Sequence, residues 1–412
     1  MKKRVISMLL AGVMALSLAA CGSSSDDKKT DDTTKTTEAQ AGTEGAGDTE
    51  GAEAVTDMKI AMVTDSGDIT DQSFNQTTYE ACKAWSEENG SEFNYYKPES
   101  DSDEARNASV DQAVADGANV IVLPGYMFAA TIVEQSEMYP DVKFIAPDVS
   151  AGDICEKGVG EGYTYNPDDY EVTDYYNADN VYCCTYQEEI SGYMAGYAAV
   201  KLGYKHLGFL GGMSVPAVTR FGYGYVQGVD EAAKELGITS DVELEYVCGG
   251  QFYGDADITA YMDTWYGSKG VEVVFACGGG IYTSAAEAAA KVDGKVIGVD
   301  SDQSGIIGED ITVTSAMKGL APTVKTALDA IKDGNWESDY AGKIDNLGLV
   351  SENPEDNYVQ LPMETTQWDD NFTVDDYKDL VKKLYNGEIE VSSDITAMPE
   401  TEITVNDYGS IK

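Results

Sequence analysis

Short apolar segments alternate with amphipathic segments from about residue 58 onward, and this alternation predicts strands and helices in turn. The predicted strands are short and mostly apolar, and they cover 59–63, 93–96, 120–123, 143–146, 207–210, 243–247, 271–276 and 295–299. The predicted helices each carry an apolar face, and they cover 76–88, 103–115, 129–138, 188–202, 223–236, 284–292 and 322–333. Such strands form parallel sheets that helices cover on both faces, so the pattern predicts two doubly wound α/β lobes.

Three further segments complete this pattern. The segment 151–182 is rich in Gly, Asp and Tyr and has neither a helical nor a strand period, so we expect a surface excursion there. A strand is predicted at 344–349, and a helix at 374–385 carries one apolar stripe that we assign to the core. A length of 412 residues and a hydrophobic content of 42% agree with two lobes, each with its own interior.

The first residues have the organisation of a lipoprotein signal peptide. A positively charged start is followed by an apolar run at 5–20 that is shorter than a membrane-spanning helix. The run ends in Leu-Ala-Ala-Cys, which resembles a bacterial lipobox, so we expect a signal peptide over 1–20 and lipid on Cys21. The segment 21–56 is polar, lacks aromatic residues and is expected to be a flexible tether. These features predict a lipid anchor on the extracytoplasmic face of the cell membrane.

Charge and residue counts exclude several classes of function. A formal net charge of −46 argues against nucleic acid, whose phosphates the chain would repel, and against a polybasic membrane patch. The single histidine, His206, lies beside a predicted strand. One histidine is too few for the usual zinc sites, and it leaves little room for a Ser-His-Asp catalytic triad. We therefore expect no enzyme, no metal site and no cofactor.

Six further cysteines lie beyond Cys21, and no pair of them has the CxxC spacing of a zinc site. Cys82 lies in a predicted helix, and Cys248 and Cys277 lie near predicted strand ends, so we expect these three to be small buried residues. Disulfides among the other cysteines remain open.

The loop after the first predicted strand carries the first candidate chemistry. Phe74 stands between Asp71 and Asn75, and a flat ring beside a carboxylate and an amide suits a flat, hydrogen-bonding ligand. Asn75 is also expected to cap the following helix. The alternative is that Phe74 only pins the loop to the core.

Three later clusters also follow predicted strands. In the first, Arg220 and Phe221 stand at the start of a predicted helix, where Phe221 could equally be a core anchor. The second contains Gly278, Gly279 and Gly280, which lack the spacing of a dinucleotide fingerprint but would let the backbone approach a ligand. The third spans 296–318 and contains Asp300 and Lys318. No P-loop pattern is present, so ATP hydrolysis by this chain is not expected.

Four motifs in these clusters resemble those of the basic membrane protein family, the nucleoside-binding lipoproteins of ABC importers. Asp71 to Asn75 resembles the DxSFN signature, and 208–228 resembles GFxGGMxxPxxxRFxxGFxxG with Tyr225 in place of Phe. Further on, 299–303 resembles GVDxDQ and 314–318 resembles TSxxK. The resemblance covers about 58–393, with all four motifs in the family's order.

The resemblance implies the type I periplasmic-binding-protein fold, in which two lobes are joined by three hinge crossings. The crossings are then expected near Cys183, 301–311 and 336–342. The first lobe would comprise 57–182 with 311–336, and the second would comprise 183–310 with 337–412. A ligand would lie between the lobes at the carboxyl ends of both sheets.

The resemblance also implies roles for individual residues. Phe74 and Phe221 would stack on the two faces of a base, Asp300 would bind ribose hydroxyls and Lys318 would reach the sugar oxygens. Asp71 and Asp148 are candidates for the base edge, and Asn75 and Gly279 complete the expected ligand-binding set.

The implied function is capture of a nucleoside, expected to be a purine nucleoside, by a monomer that delivers it to an ABC permease. A free sugar or another small polar ligand in the same fold, or a membrane-tethered sensor, are the alternatives. If these two residues bind no ligand, Asp300 would be a turn residue and Lys318 a surface charge.

Overall fold

Two sheets form the framework of the computed structural model, which describes residues 57–65 and 67–412. The strands in this part of the chain are, in order, β1 (Lys59–Val63), β2 (Glu92–Tyr96), β3 (Val120–Val122), β4 (Lys143–Pro147), β5 (Val181–Tyr186), β6 (His206–Gly211), β7 (Glu243–Cys248), β8 (Val273–Cys277), β9 (Lys295–Asp300), β10 (Thr312–Lys318), β11 (Ile344–Leu347), β12 (Val359–Gln360) and β13 (Thr404–Ser410). The predicted leader, Cys21 and the tether lie outside the described residues.

Helices lie between most of these strands. They are α1 (Phe74–Asn89), α2 (Asp103–Ala115), α3 (Ala129–Met138), α4 (Ala151–Val159), α5 (Glu188–Lys201), α6 (Pro216–Leu236), α7 (Ala256–Thr264), α8 (Tyr282–Ala289), α9 (Ser304–Ile307), α10 (Leu320–Asp333), α11 (Trp336–Asp339) and α12 (Val374–Tyr385). The predicted bounds of α2, α3 and α12 are confirmed, whereas α6 begins seven residues earlier than predicted. Pro216 explains that difference, because proline is favoured in the first helical turn, where its missing N–H leaves no helical bond unmade.

Both sheets have the strand order of doubly wound folds. The first sheet runs β2-β1-β3-β4-β5-β11, and the second runs β13-β7-β6-β8-β9-β10-β12. All pairs are parallel except β10 with β12. The strand order reverses between β1 and β3 and again between β6 and β8, and the chain therefore leaves a crevice at the carboxyl edge of each sheet.

Burial explains why the strand pattern could be read from the sequence. Every residue of β3 and β8 is buried, because helices cover both faces of each sheet. Helix α12 begins with a capping box between Thr373 and Asp376 and buries its predicted apolar stripe. The α/β class with two doubly wound lobes is confirmed.

The lobe boundaries differ from those expected. Strands β5 and β11 belong to the first sheet, and β10 belongs to the second. The chain therefore crosses between lobes after β5, after β10 and between β11 and β12. The first crossing follows Tyr186, three residues beyond Cys183, and the other two lie beyond 301–311 and 336–342. The sequence pattern had not revealed β5 or β10, whereas β11 was predicted as a strand but belongs to the first sheet.

Strand β10 shows why that pattern was missed. Its sequence, TVTSAMK, contains Thr and Ser where a buried strand would normally be apolar. The structure satisfies these hydroxyls internally: Thr314 Oγ1 lies 2.7 Å from Thr366 Oγ1, and Ser315 Oγ accepts from Gln303 N at 3.1 Å. Polar residues can occupy a buried strand when each one has such a partner.

The expectation for 151–182 is wrong in part. Helix α4 occupies its start, with a capping box between Ser150 and Asp153, and short 3₁₀ turns lead to β5. Three glycines within ten residues obscure the period of α4, which buries only Ile154 and Cys155.

The described cysteines are all buried and none forms a disulfide, as expected for Cys82, Cys248 and Cys277. None of the helices in the described part of the chain is both long enough and apolar enough to cross a membrane.

Candidate ligand-binding site

A cavity of about 860 Å³, counting the part open to solvent, lies between the lobes at the carboxyl edges of both sheets. Its walls come from residues that follow β1, β3, β4, β6 and β7 and from the carboxyl ends of β5, β8, β9 and β10. Of the residues predicted to bind ligand, it brings together Phe74, Asp148, Phe221, Gly279, Asp300 and Lys318. The strand-order reversal of each sheet thus positions six residues that are far apart in the sequence.

Lys318 lies at the centre of the charged part of the cavity. Its Nζ donates to Asp148 Oδ2 at 2.7 Å and to Glu188 Oε1 at 3.3 Å. Glu188 in turn accepts a hydrogen bond from Arg220 Nε at 2.6 Å. Asp148 follows a strand of the first sheet and Lys318 ends a strand of the second, so this ion pair joins the lobes. The Lys318 side chain is only 2% exposed, and it is therefore not the surface charge of the alternative interpretation.

Three aromatic rings surround the same ammonium group. The centroids of Phe74, Tyr186 and Phe221 lie 4.9, 5.3 and 5.7 Å from Lys318 Nζ. An ammonium at these distances is attracted to the face of each ring. Phe221 also packs edge-on against Phe275, at 6.0 Å between centroids, so it belongs both to the core and to the cavity wall.

Burial and neighbouring charges shift the pKa values of both partners in the Asp148–Lys318 ion pair. Burial lowers the pKa of Lys318, but the facing carboxylates Asp148, Glu188 and Asp300 outweigh it and raise that pKa above its ordinary value. Burial raises the pKa of Asp148, and Lys318 opposes the shift. Asp148 Oδ1 is buried and has no hydrogen-bond partner among the described residues. A buried carboxylate oxygen without a donor is costly, so a ligand that donates a hydrogen bond there would be stabilised.

Asp300 and Asp148 share an unusual backbone conformation. Their φ angles are +65° and +67°, in the left-handed region that non-glycine residues seldom adopt. Such residues are strained by about 1–3 kcal/mol and occur disproportionately at functional sites. Asp148 directly follows β4 and Asp300 is the last residue of β9, so both lie at the carboxyl ends of strands and line the cavity.

A hydroxyl from the other lobe holds the Asp300 carboxylate. Ser73 Oγ donates to Asp300 Oδ2 at 2.5 Å. Burial raises the pKa of Asp300 to about 6, while the charge of Lys318 and the Ser73 hydrogen bond oppose that shift. Asp300 is therefore ionised at neutral pH and can accept hydrogen bonds from a ligand.

Asp71 and Asn75 have different surroundings from those expected. Helix α1 begins at Phe74, so the prediction that Asn75 caps it is wrong. Asp71 instead accepts from the backbone N–H groups of Ser73, Asn75 and Gln76 at 2.9, 2.9 and 3.0 Å. Asn75 Nδ2 donates to Asp71 Oδ2 and to Asp65 Oδ1. Neither Asp71 nor Asn75 is among the residues that line the cavity, and both organise the loop that carries Phe74.

Sequence reasoning missed several residues of the cavity wall. Asp65 lies two residues after β1, and burial raises the pKa of its carboxyl to about 6 against the hydrogen bonds from Gly67 and Asn75. Other residues overlooked in the wall are Tyr126, Met127, Ser150, Asp153 and Phe252, and Arg220, which the sequence analysis named without a ligand-binding role, lies there too. A rule that every polar residue just beyond a strand end is a candidate would have found Asp65 and Ser150.

Gly279 lies in the wall with φ at +51°, and a Cβ there would lie 2.9 Å from the main-chain oxygen of Phe252. A side chain at this position would be strained in conformation and also crowded. The backbone of this loop therefore requires glycine at position 279, independently of any ligand in the cavity.

Comparison with known proteins agrees with this geometry. A family model described as "ABC transporter substrate-binding protein PnrA-like" (Bmp) matches residues 58–394. The ABC transporter nucleoside-binding protein BmpA of Lactococcus lactis subsp. cremoris (strain MG1363) is 29% identical over 302 residues, which cover 68% of this chain and 77% of BmpA. An uncharacterised lipoprotein of Pyrococcus abyssi (strain GE5 / Orsay) is 25% identical over 309 residues, covering 74% of this chain and 70% of that protein.

Among solved structures, an ABC transporter system solute-binding protein from Aeropyrum pernix K1 superposes with a TM-score of 0.62 at 21% identity. The match covers 82% of this chain and 94% of that one, so the two-lobed solute-binding fold is shared. The family match spans both lobes and every predicted motif, and the resemblance inferred from those motifs is confirmed. The chain belongs to the Bmp family of PnrA-like ABC transporter substrate-binding proteins.

Proposed function

We propose that this substrate-binding protein captures a nucleoside, and foremost a purine nucleoside, in the cavity between its lobes. The observation that carries the proposal is that one cavity combines the rings of Phe74 and Phe221 with the carboxylates of Asp148 and Asp300. A nucleoside has a flat base that suits the rings and a vicinal diol whose hydroxyls suit a carboxylate. The Lactococcus lactis relative, which is named a nucleoside-binding protein, supports the same assignment.

Each residue then has a distinct role in recognition. Asp300 accepts from the ribose hydroxyls, and Lys318 donates to the sugar oxygens from its position between Asp148 and Glu188. The unpaired Oδ1 of Asp148 and the carboxylate of Asp65 are acceptors for donors on the base edge. Each aromatic ring that stacks on a base contributes about 1–3 kcal/mol, as measured by alanine substitution in other proteins.

Calorimetric titration with guanosine, inosine, guanine and ribose tests this proposal. The wild type should bind the two nucleosides more tightly than the free base or the free sugar. Phe74→Ala should weaken nucleoside binding at least tenfold, which corresponds to about 1.4 kcal/mol. Phe74 is the better ring to change, because Phe221 is 2% exposed and its removal would also damage the core.

Asp300→Asn separates recognition of the sugar from recognition of the base. It should weaken guanosine and inosine binding by about 1.5–3 kcal/mol and leave guanine binding nearly unchanged. Asp302→Asn is the matched control, since Asp302 carries the same charge two residues away but accepts from Ser304 N and Thr365 Oγ1 outside the cavity. Equal losses for nucleoside and base would contradict the assigned role of Asp300. Tight binding of ribose alone would favour the sugar-binding alternative.

We further propose that the protein is lipid-anchored through Cys21 on the extracytoplasmic face and delivers its ligand to an ABC permease as a monomer. The predicted lipobox and the pyrococcal relative named a lipoprotein support the anchor. Cys21→Ala should move the protein from the membrane fraction to the soluble extracellular fraction. Uptake of radiolabelled nucleoside should fail when this protein is deleted, whereas a sensor would leave uptake intact.

A further inference from the structure

A cluster of potential metal ligands lies at the end of the second sheet opposite to the ligand cavity. His206 begins β6, and Glu243 and Glu245 lie at the start of β7. His206 and Glu243 are register partners on neighbouring strands, and Glu245 is two residues along β7, on the same face as Glu243. The strands therefore hold all three side chains on one face of the sheet, although the sequence analysis expected no metal site in a chain with one histidine.

The donor atoms are close enough to share one ion. His206 Nε2 lies 3.2 Å from Glu245 Oε1 and 4.0 Å from Glu243 Oε2. One donor atom from each residue fits within a mutual separation of 4.8 Å. Nitrogen and oxygen ligands about 2.0–2.1 Å from a tetrahedral zinc ion are about 3.3 Å apart. The first distance matches that spacing, and the others require movements of about 1 Å.

Two neighbouring side chains orient the carboxylates toward the histidine. Asn406 Nδ2 donates to Glu243 Oε1 at 2.7 Å, and Lys269 Nζ donates to Glu245 Oε2 at 2.9 Å. In each carboxylate one oxygen accepts that hydrogen bond, and the other oxygen faces His206 Nε2. Hydrogen bonds of this kind to the distal oxygen of a ligand are typical of metal sites.

The charge and exposure of the cluster also suit a cation. Two carboxylates and one imidazole ring meet at this point of the sheet. Glu243 and His206 are partly exposed, which leaves a route for an ion and room for water ligands.

We propose that His206, Glu243 and Glu245 bind a divalent transition-metal ion of the zinc type. One imidazole nitrogen with two carboxylate oxygens suits Zn²⁺ better than Ca²⁺ or Mg²⁺, which prefer oxygen ligands alone. The site is separate from the ligand cavity, so it does not depend on the identity of the transported ligand.

The single histidine of the chain makes a direct test possible. Protein labelled with ¹⁵N-histidine gives one imidazole signal set, and titration with Zn²⁺ should shift the Nε2 resonance until one equivalent is bound. Excess Mg²⁺ in the buffer occupies weak carboxylate sites on this acidic surface. An imidazole signal that Zn²⁺ leaves unmoved would overturn the proposal without any substitution.

Variants test the remaining ligands by Zn²⁺ calorimetry. His206→Gln retains a hydrogen-bond donor for Glu245 but removes the imidazole, and Glu243→Gln removes one charged ligand. Each should weaken Zn²⁺ binding at least about tenfold, and Asn406→Ala should weaken it by about 10–100-fold through loss of orientation. Glu287→Gln, a change on the exposed surface of α8, is the control and should bind as the wild type does. Unchanged affinity and stoichiometry in both His206→Gln and Glu243→Gln would overturn the proposal.

Discussion

At the scale of single residues, the ligand cavity depends on one buried lysine. Lys318 contacts two carboxylates and lies beside three aromatic rings. Without it Asp148 would be left as a buried, uncompensated charge, because Arg220 contacts Glu188 but not Asp148. A buried pair of this kind contributes little net stability over an apolar replacement of both partners, but removal of one partner is strongly destabilising.

Lys318→Met should therefore lower the free energy of unfolding by about 3–5 kcal/mol. Lys325→Met is the control, because Lys325 is exposed and pairs only with Asp329 one helical turn away, so its loss should be about 0.5 kcal/mol or less. Denaturant titrations of the two ligand-free variants make the comparison. Similar losses of unfolding free energy in both variants would contradict the prediction, because they would mean that other groups neutralise the buried carboxylates without Lys318.

The raised pKa of Asp300 predicts a dependence of stability on pH. Its folded-state pKa of about 6 exceeds the ordinary value of 3.8, so between these pH values the folded protein holds a proton that the unfolded chain has lost. The contribution of Asp300 to the free energy of unfolding should therefore fall as pH rises from about 4 to 6, and remain low above that.

Asp300→Asn removes this titration. Relative to the wild type, the variant should gain up to about 3 kcal/mol in the free energy of unfolding between pH 4 and pH 7, since one pKa unit corresponds to about 1.4 kcal/mol. Urea unfolding of both proteins at several pH values provides the measurement. A difference that stays constant with pH would show that Asp300 titrates normally.

At the scale of elements, the close packing of α5 on α6 positions the second lobe's part of the site. Gly192 and Gly196 of α5 face Gly224 and Gly228 of α6, and a Cβ on any of the four would overlap the main chain of the opposite helix. α5 carries Glu188 and α6 carries Arg220 and Phe221, so the small residues bring these groups together.

Gly224→Ala should consequently destabilise the protein by about 1–3 kcal/mol or more, because the helices cannot move apart without disturbing the core. It should also weaken nucleoside binding through displacement of Arg220 and Phe221. Gly267→Ala is the control, since a Cβ at Gly267 meets no atom within 4 Å. Thermal unfolding and ligand titration of both variants test this, and a fully stable Gly224→Ala protein would contradict the packing argument.

At the scale of the whole molecule, hydrogen bonds between the lobes hold the cavity closed. Ser73 Oγ donates to Asp300 Oδ2, and Gln303 Nε2 donates to the main-chain oxygen of Gln72 at 3.0 Å. Ser301 Oγ lies 3.4 Å from the same oxygen. Gln72 has a φ of +57°, which turns its carbonyl toward the second lobe. The loop before α1 thus connects the two lobes directly, beside the Asp148–Lys318 ion pair.

Loss of the Ser73 hydroxyl should shift the protein toward an open arrangement. Ser73→Ala removes a hydrogen bond to a charged group, which is worth about 1.5–3 kcal/mol. Small-angle X-ray scattering of the ligand-free variant should show a larger radius of gyration than the wild type. Ser109→Ala is the control, because the Ser109 hydroxyl donates to Ala105 O within the first lobe. An unchanged scattering curve for Ser73→Ala would show that other contacts hold the lobes together.

The sequence by itself determined the features that depend on neighbouring residues. Residues on one face recur every two positions in a strand and about every 3.6 positions in a helix. The bounds of β1, α2, α3 and α12 were therefore predicted correctly. Four motifs in a constant order were enough to identify the family. Phe74 and Asp148 were found because they follow predicted strands, and the end of a parallel strand is where such folds place a site. Asp300 was found through the family motif that contains it.

Only the tertiary structure decided which groups meet. Asp148 and Lys318 are 170 residues apart, and Ser73 and Asp300 are 227 apart, so no local pattern links them. The membership of β5, β10 and β11 in their sheets, and the pairing of buried hydroxyls that allows β10 to exist, depend on the same long-range contacts. Asp71 shows the reverse case: its motif suggested a ligand contact, but three backbone N–H groups at the start of α1 occupy its carboxylate. A side chain's role follows from the donors and charges around it, and folding alone brings these together.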